Sequence, residues 1–399
     1  MKKTVILGGT MNLTKWLAIS LSCIAALTAQ SPAHAAQYQV GEVISLTGVN
    51  ARGGTGMHEG IKVAEAVFNQ RPGSVKIKIQ TIDDESSPAK AVAAVERLAA
   101  NNVIAITGGA TSDIVGPAAT AADKLGLPFM TSGGTSSEFL TQGFHSFFRI
   151  NNTTGYVKAM AGLLDTMQIN KLAIIYSTKK STSEMARMMQ QQMAEKGVTV
   201  TMHPFEATTV DFKPIINKIK LQDRPDAINM IGYENDYVGI LRATRVLRPP
   251  VKAMVGAWQI ATAKMYQDFP DLVDKTYGTE MLPVPVTFNR PEGQAFEAAF
   301  RKLYPHEPDY LSQYGFVQGM LLFEAIARAE AAGTLEKGGI AQELRSTAVD
   351  TIIGQVRFSA QGDNEEFMQN IGQHQKGKIA IVWPASAATG TMEFPGTPW

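Results

Sequence analysis

The segment VIAITGGATS, residues 103–112, passes from a short apolar run into a loop of small and hydroxyl-bearing residues. The same succession occurs twice more, where Val40–Leu46 precedes Thr47–Asn50 and where Leu127–Met130 precedes Ser132–Ser136. In an open α/β sheet, ligands bind just beyond the carboxyl ends of the parallel strands. Backbone amides and hydroxyls at the start of a helix favour an anion. The three loops therefore predict one site for a small anionic group.

The rest of the chain alternates strand-like and helix-like segments, which is typical of parallel sheets covered by helices. Strand Val75–Ile82 is followed by Ser87, a predicted N-cap, and by Pro88, which suits the first turn of a helix. A second series of the same kind begins near Lys171. With 399 residues the chain exceeds the usual range of a single core, and no low-complexity linker interrupts it. We therefore predict an α/β protein of two lobes.

The N-terminus has the pattern of a secretory signal peptide. Lys15 precedes the apolar run Trp16–Leu27, and the small residues Ala33 and Ala35 follow it. We predict cleavage after Ala35 and export, since the apolar run is too short to span a bilayer comfortably and so fits a signal peptide better than a membrane span. The only cysteine, Cys23, lies in this segment, so we expect no disulfide in the exported chain.

Charge and motifs exclude several classes of function. Removal of residues 1–35 takes away three lysines and leaves 34 basic against 36 acidic residues, a poor balance for binding nucleic acid or an anionic membrane. The six histidines lack the spacing of metal ligands. Ser87–Lys90 and Ser177–Lys180 match the Ser-x-x-Lys pattern of penicillin-recognising enzymes, but no Lys-Thr-Gly accompanies them. We predict no enzyme activity, no cofactor, no metal and no nucleic-acid partner.

Seven short segments, taken in their order and spacing, resemble those of a known family. These segments are Gly41–Gly48, Asp83–Val92, Met130–Ser136, Thr209–Phe212, Pro225–Ile228, Gly354–Phe358 and Gly362–Asp363. On them, the chain is similar over about Tyr38 to Val382 to the type I periplasmic binding proteins of the leucine/isoleucine/valine-binding class, which serve ABC transporters. The resemblance implies that the exported chain resides in the periplasm.

This resemblance implies a fold and a mode of action. It implies two α/β lobes joined by three crossing strands, the first lobe holding residues 37–154 plus 283–355 and the second 155–282 plus 356–399. A ligand binds in the cleft, and closure about a hinge traps it. We therefore expect a monomer that captures a small carboxylate-bearing solute, of which a branched-chain amino acid is the first choice, and delivers it to the membrane subunits of an ABC permease.

The resemblance also implies residues for the site. Ser112 and Ser136 match hydroxyls that hold the ligand carboxylate, and Thr111 belongs to the same loop as Ser112. Gly134 matches a position whose carbonyl faces the ligand amine, and Tyr233 matches an aromatic residue that lines the cleft from the second lobe. The two serines also suit a simpler role as caps of the helices that follow them.

Two departures from the family pattern put the ligand in doubt. Trp258 stands where the family has the carboxylate that binds the amine, and burying an ammonium group without a charged partner costs several kcal/mol. Either Glu234 or Asp236 replaces that carboxylate, or the ligand has no amine. Ser181 stands where the family has an aromatic wall residue.

Two residues fit either a ligand role or a simpler one. Arg52 can form a bidentate pair with a carboxylate, or it can remain solvated in its loop. Trp258 can stack on a planar ring or close the cleft as an apolar lid, and Tyr310 and Tyr314 lie near another aromatic wall position of the family. The alternatives are therefore an amine-free aromatic carboxylate as the ligand, or a sensor as the downstream partner in place of a permease.

Overall fold

The computed structural model describes residues 1–5, 36–73, 75–397 and 399. The predicted signal peptide, with its cleavage site after Ala35, lies outside the described residues except for residues 1–5. Within the described ranges, no helix combines the length and the apolar composition that crossing a bilayer requires.

Strands and helices alternate along most of the chain. The strands are β1 (Ala36–Ile44), β2 (Val75–Asp83), β3 (Ile106–Gly108), β4 (Phe129–Thr131), β5 (Phe147–Arg149), β6 (Lys171–Ser177), β7 (Thr199–Phe205), β8 (Ala227–Ile231), β9 (Ala253–Gly256), β10 (Tyr277–Thr279), β11 (Ala348–Thr351), β12 (Gly354–Arg357), β13 (Ile371–Gln375) and β14 (Lys378–Trp383). The helices are α1 (Ala51–Gln70), α2 (Pro88–Ala100), α3 (Ser112–Lys124), α4 (Thr153–Thr166), α5 (Lys180–Glu195), α6 (Lys213–Lys218), α7 (Glu234–Leu247), α8 (Ala263–Asp268), α9 (Pro270–Val273), α10 (Pro291–Leu303), α11 (Tyr310–Ala331) and α12 (Gly339–Arg345).

The strands form two large sheets and one small hairpin. The first sheet has the order β2-β1-β3-β4-β5, with every neighbouring pair parallel. The second has the order β14-β13-β10-β9-β8-β6-β7. Its strands β6 to β10 are parallel, whereas β13 and β14 add antiparallel strands at one edge. Strands β11 and β12 form a separate antiparallel hairpin.

The chain passes three times between the two large sheets. It leaves the first sheet after β5, returns after β10 to pack α10 and α11 against α1, and crosses again between β12 and β13. We call the first sheet with its helices the first lobe and the second sheet with its helices the second lobe. The predicted two-lobed α/β fold is therefore confirmed, although the second sheet is not wholly parallel.

Contact between α1 and α11 is close enough to require glycine on both helices. A Cβ atom on Gly60 would lie 2.0 Å from the carbonyl oxygen of Ser312, and one on Gly315 would lie 2.0 Å from that of Met57. Any larger side chain would force the helices apart. This packing fixes the N-terminal turn of α11, which carries Tyr310 and Tyr314, beneath the cleft.

Most predicted element positions agree with the structure to within a few residues. Ser87 caps α2 as predicted, since its hydroxyl accepts a hydrogen bond from the Lys90 amide. The strand predicted from Val103 begins at Ile106, because Val103 still bonds to the Leu98 carbonyl in the turn out of α2, although Ile104 and Ala105 already bond to β1. The residue boundaries given for the lobes stay a prediction, and the third of them falls inside β12.

Candidate ligand-binding site

A cavity of about 550 Å³ lies between the lobes, beyond the carboxyl ends of the parallel strands of both sheets. The first lobe lines it with the loops that follow β1, β3 and β4, so the three loops that predicted an anion site do converge. The second lobe contributes the loops that follow β6, β8 and β9. Residues from α1, α4 and α11 form its floor.

Four hydroxyl groups form the first-lobe side, and we call Thr111, Ser112, Ser132 and Thr135 the hydroxyl wall. Thr111 precedes α3 in extended backbone conformation, and its side chain makes no capping hydrogen bond. The Ser132 hydroxyl is buried and has no partner among the described residues. Free amides and the positive end of the helix dipole lie at the start of α3, next to these hydroxyls. The wall is therefore rich in hydrogen-bond donors.

The loops after β3 and β4 touch each other at one glycine. A Cβ atom on Gly133 would lie 1.9 Å from the carbonyl oxygen of Gly109, so only glycine fits there. The contact holds Ser132 and Thr135 beside the N-terminus of α3. It thus fixes the geometry of the hydroxyl wall without using a side chain.

Ser112 occupies the position that was predicted for it, and its hydroxyl is oriented by a neighbour. The Ser136 amide donates a hydrogen bond to Ser112 Oγ at 3.3 Å. Because this hydroxyl oxygen accepts one bond, its proton remains free to be donated to a ligand anion.

The structure corrects the placement of Ser136 and Gly134, which do not line the cavity. The Ser136 hydroxyl points away from it and donates to Glu184 at 2.9 Å. The Gly134 carbonyl accepts a hydrogen bond from Arg149 Nη1 at 3.4 Å. Their neighbours Thr135 and Gly133 line the cavity instead. The turn at Gly133 sets this register, and the run of small residues gave no signal by which to place it.

Aromatic side chains cover the second-lobe side and the floor of the cavity. Trp258 stacks on Tyr233 with ring centroids 5.9 Å apart and planes inclined by 19°. Its ring also meets Tyr156 edge to face at 5.8 Å. Tyr310 and Tyr314 complete the floor, in edge-to-face contact with each other at 5.5 Å. We call Tyr233 and Trp258 the aromatic wall, which is an apolar surface suited to a planar group.

An ion pair crosses the cleft at the edge of the cavity. Arg52, in the first turn of α1, pairs with Glu234 at the start of α7, and Asp268 lies 3.7 Å from the same guanidinium. One further nitrogen of Arg52 and one further oxygen of Glu234 are buried without a partner among the residues described. Burial raises the pKa of Glu234, and the Arg52 guanidinium opposes that rise. Both residues that were predicted to contact ligand thus contact each other.

Other polar groups of the second lobe are also engaged. Asp236 accepts a hydrogen bond from the Tyr233 amide at 2.9 Å, which caps α7. The Lys179 ammonium lies 4.7 Å from the centroid of the Tyr233 ring. Ser181 lines the cavity with its hydroxyl 3.5 Å from that of Tyr233, and burial raises the pKa of Tyr233 to about 12. One oxygen of Asp236 is thus engaged by the helix, while Asp236 and Glu234 both line the cavity.

Of the nine predicted site residues, seven line the cavity. They are Arg52, Thr111, Ser112, Ser181, Tyr233, Glu234 and Trp258. Sequence reasoning missed several other residues of the lining, and these include Ser132, Gly133, Thr135, Asn151, Tyr156, Lys179 and Gln259. Thr135 was within reach of the loop pattern, whereas Tyr156 lies on a helix whose apolar spacing predicts only core.

The described residues contain no group of three or more His, Cys, Asp or Glu side chains arranged to hold a metal ion.

A family model described as periplasmic binding protein matches residues 37–372. The chain belongs to this family. Its members are solute-binding proteins of ABC transporters and are not catalytic, so the prediction that the chain is not an enzyme is confirmed.

Relatives and solved structures agree with this membership. The Leu/Ile/Val-binding protein homolog 7 of Brucella melitensis is 23% identical over 403 aligned residues, which cover 94% of this chain and 98% of the relative. The leucine binding protein LivK of Thermotoga maritima has a TM-score of 0.77 at 20% identity, covering 86% of this chain and 97% of that one. A solute-binding protein of R. palustris in complex with 4-hydroxybenzoate has a TM-score of 0.77 at 17% identity, and the match covers 90% of this chain and 97% of that one. The resemblance to the leucine/isoleucine/valine-binding class is therefore confirmed.

Proposed function

We propose that this binding protein captures a small carboxylate-bearing solute in the periplasm and delivers it to an ABC permease. The hydroxyl wall carries the proposal. Thr111, Ser112 and Thr135 present hydroxyls to the cavity beside the start of α3, and the Ser112 proton is left free by its contact with Ser136. A hydrogen bond to a charged group contributes about 1.5–3 kcal/mol, so a few such bonds suffice to hold a carboxylate.

The ligand class that the geometry favours is an aromatic carboxylate without an amine. Trp258 takes the position of the family's amine-binding carboxylate, and its ring stacks with Tyr233 along the cavity. Glu234 is paired with Arg52 and is therefore partly neutralised before any ligand binds. A planar ring against Trp258 gains contact area and stacking, whereas an ammonium group there would compete with Arg52 for Glu234, or with the Tyr233 amide for Asp236. The R. palustris protein that binds 4-hydroxybenzoate has the same fold.

A branched-chain amino acid is the second candidate, and one observation favours it. One oxygen of Glu234 has no hydrogen-bond partner in the described part of the chain, so this carboxylate retains a site for a ligand amine. The Thermotoga maritima relative is a leucine binding protein. In this case Glu234 would hold the ammonium group while keeping its contact with Arg52.

A screen of ligand-stripped protein by thermal unfolding tests both candidates. The probes are benzoate, 4-hydroxybenzoate and cinnamate, together with leucine, isoleucine and phenylalanine. A ligand at one hundred times its dissociation constant adds about 2.7 kcal/mol of stability, which raises the unfolding temperature measurably. We expect the amine-free aromatic acids to raise it and leucine to leave it unchanged.

The other outcomes separate the candidates. A rise with leucine and isoleucine alone would replace the aromatic acid by the amino acid as the ligand. Because phenylalanine has both a ring and an amine, a rise with it shows that the site accepts both features. Benzamide, which has the ring but no carboxylate, is the matched control, and stabilisation by benzamide equal to that by benzoate would overturn the carboxylate proposal.

Delivery to a permease is tested in cells. Deletion of the gene should abolish uptake of the radiolabelled ligand found in the screen, and the wild-type gene should restore it. Unchanged uptake together with a lost transcriptional response to that ligand would instead support the sensing role.

A further inference from the structure

A second set of cross-cleft contacts lies outside the cavity. Glu184, on α5 of the second lobe, accepts hydrogen bonds from the first-lobe turn that follows β4. The donors are the Ser136 hydroxyl at 2.9 Å and the Ser137 amide at 3.0 Å. Next to it, Lys180 pairs with Glu138 across the same gap. Each of these contacts joins the two lobes.

Glu184 does not line the ligand cavity, yet it is connected to it. Its partner Ser136 donates its backbone amide to Ser112 Oγ at 3.3 Å, and Ser112 belongs to the hydroxyl wall. The path from the second lobe to the cavity therefore consists of two hydrogen bonds through one buried serine. No ligand atom is needed to complete it.

We propose that Glu184 is a latch that keeps the lobes partly closed before a ligand arrives. Its carboxylate is half-buried and accepts bonds from two donors of the other lobe, so these bonds exist only when the lobes are together. Hydrogen bonds to a charged acceptor are stronger than neutral ones. The Lys180–Glu138 pair adds less, because both side chains are well exposed and water screens them.

The latch differs in kind from the Arg52–Glu234 ion pair. Arg52 and Glu234 line the cavity, so changing either alters the ligand contacts together with closure. A change at Glu184 alters lobe closure without removing a ligand contact, since Glu184 bonds to the other lobe and does not line the cavity. A ligand-free measurement of lobe closure is therefore the direct test, and it holds whatever the ligand proves to be.

Distances between spin labels on the two lobes give the closed fraction of the ligand-stripped protein. Labels are attached through Leu125→Cys, at the end of α3, and Val246→Cys, on α7, which are 48% and 67% exposed. The chain also carries Cys23→Ser, so that no native cysteine is labelled. We expect the wild type to show two distances, one for the open and one for the closed arrangement.

Glu184→Ala should reduce the closed fraction at least threefold, and Glu184→Gln should reduce it less because the amide oxygen still accepts a bond. Glu195→Gln is the matched control, since Glu195 lies on the same helix and accepts a hydrogen bond from Gln191 of its own lobe. The unfolding temperature should remain within about two degrees in all three variants, because the latch joins the lobes and not the core of either. A wild type with only the open distance, or equal closed fractions in Glu184→Ala and Glu195→Gln, would overturn the proposal.

Discussion

The two sides of the cleft differ in how far their polar groups are satisfied by the protein itself. On the first lobe, the hydroxyl wall leaves protons free, and the Ser132 hydroxyl lacks a partner in the described ranges. On the second lobe, Glu234 is paired with Arg52, Asp236 caps a helix, and Trp258 stacks on Tyr233. A donor without a partner gains the free energy of a whole hydrogen bond when a ligand accepts from it. A group that already has a partner in the protein gains only the difference in free energy between the bond to the ligand and the bond it gives up.

This contrast divides the work of recognition between the lobes. The first-lobe hydroxyls can hold any carboxylate, since they contact a group that many solutes share. The aromatic wall and the Arg52–Glu234 pair contact the remainder of the ligand, where one solute differs from another. The first lobe should therefore set the affinity for carboxylates in general. The second lobe should determine which carboxylate is bound.

Removing two donors of the hydroxyl wall should have the largest effect on binding. We expect Ser112→Ala with Thr135→Ala to weaken binding of the screened carboxylate by more than about a hundredfold, because two charge-assisted hydrogen bonds of about 1.5–3 kcal/mol each are lost. Calorimetric titration measures the dissociation constant. Thr120→Ala is the control, since that hydroxyl lies on α3 but donates to the Gly116 carbonyl outside the cavity. Equal affinities in the double variant and the control would remove the first lobe from carboxylate binding.

Truncating the aromatic wall should have the next largest effect, and only on ligands with a ring. Trp258→Ala should weaken binding of an aromatic carboxylate about thirtyfold through lost contact area and stacking. Trp258→Phe should recover most of that affinity, and leucine, if it binds, should be affected less than the aromatic acid. The same titration measures both. A uniform loss for all ligands would mean that Trp258 closes the cleft and does not select the ring.

Much of this division could be predicted from the sequence, and the part that could not has a physical cause. The run of apolar residues into Gly, Thr and Ser marked the loops correctly, and Thr111 and Ser112 lie where that pattern placed them. Ser136 missed the cavity because the register of the loop depends on the contact of Gly133 with Gly109, which no local pattern encodes. The prediction was therefore off by one residue along this loop, and Thr135 lines the cavity where Ser136 was expected to.

The second-lobe side was harder to predict because its contacts join distant parts of the chain. Arg52 and Glu234 were each expected to meet the ligand, and neither sequence context shows that they pair with each other across 182 residues. Tyr156 was missed because a tyrosine on a buried helix face reads as core. Loops at strand ends can be found from sequence, whereas the contacts between loops of different lobes depend on how the lobes close.

Neutralising the second-lobe carboxylate should separate the two ligand classes. Glu234→Gln should change the affinity for an amine-free acid by less than threefold, because its ion pair with Arg52 is partly exposed and such pairs contribute little. For an amino acid it should weaken binding more than tenfold, since the ammonium would lose its charged partner. Glu195→Gln, titrated with the same ligands, is the comparison for an acidic residue outside the cavity. A large effect on an amine-free acid would mean that Arg52 needs Glu234 to hold the closed cleft together.

A buried carboxyl near the floor of the cavity should affect stability and leave binding unchanged. Glu280 is 1% exposed, and its carboxylate accepts hydrogen bonds from the Met281 and Leu282 amides. Burial raises its pKa well above the ordinary value of a glutamate. Because the folded-state pKa is the higher one, the stabilising contribution is complete at acidic pH and disappears as the pH rises through that raised pKa.

Glu280→Gln keeps the neutral form at every pH, so the variant should match the wild type at pH 4.5 and become progressively more stable than it towards pH 8. Urea unfolding at several pH values measures the gap, which is the difference in the free energy of unfolding between variant and wild type. Glu195→Gln, at an exposed site, should show no such difference. A gap that stays constant with pH would mean that Glu280 remains in one protonation state over this range. A gap that reverses would mean that its ionised form is stabilised by the fold, and that the tyrosine floor above it, Tyr156, Tyr310 and Tyr314, supplies hydrogen bonds that offset the burial of the charge.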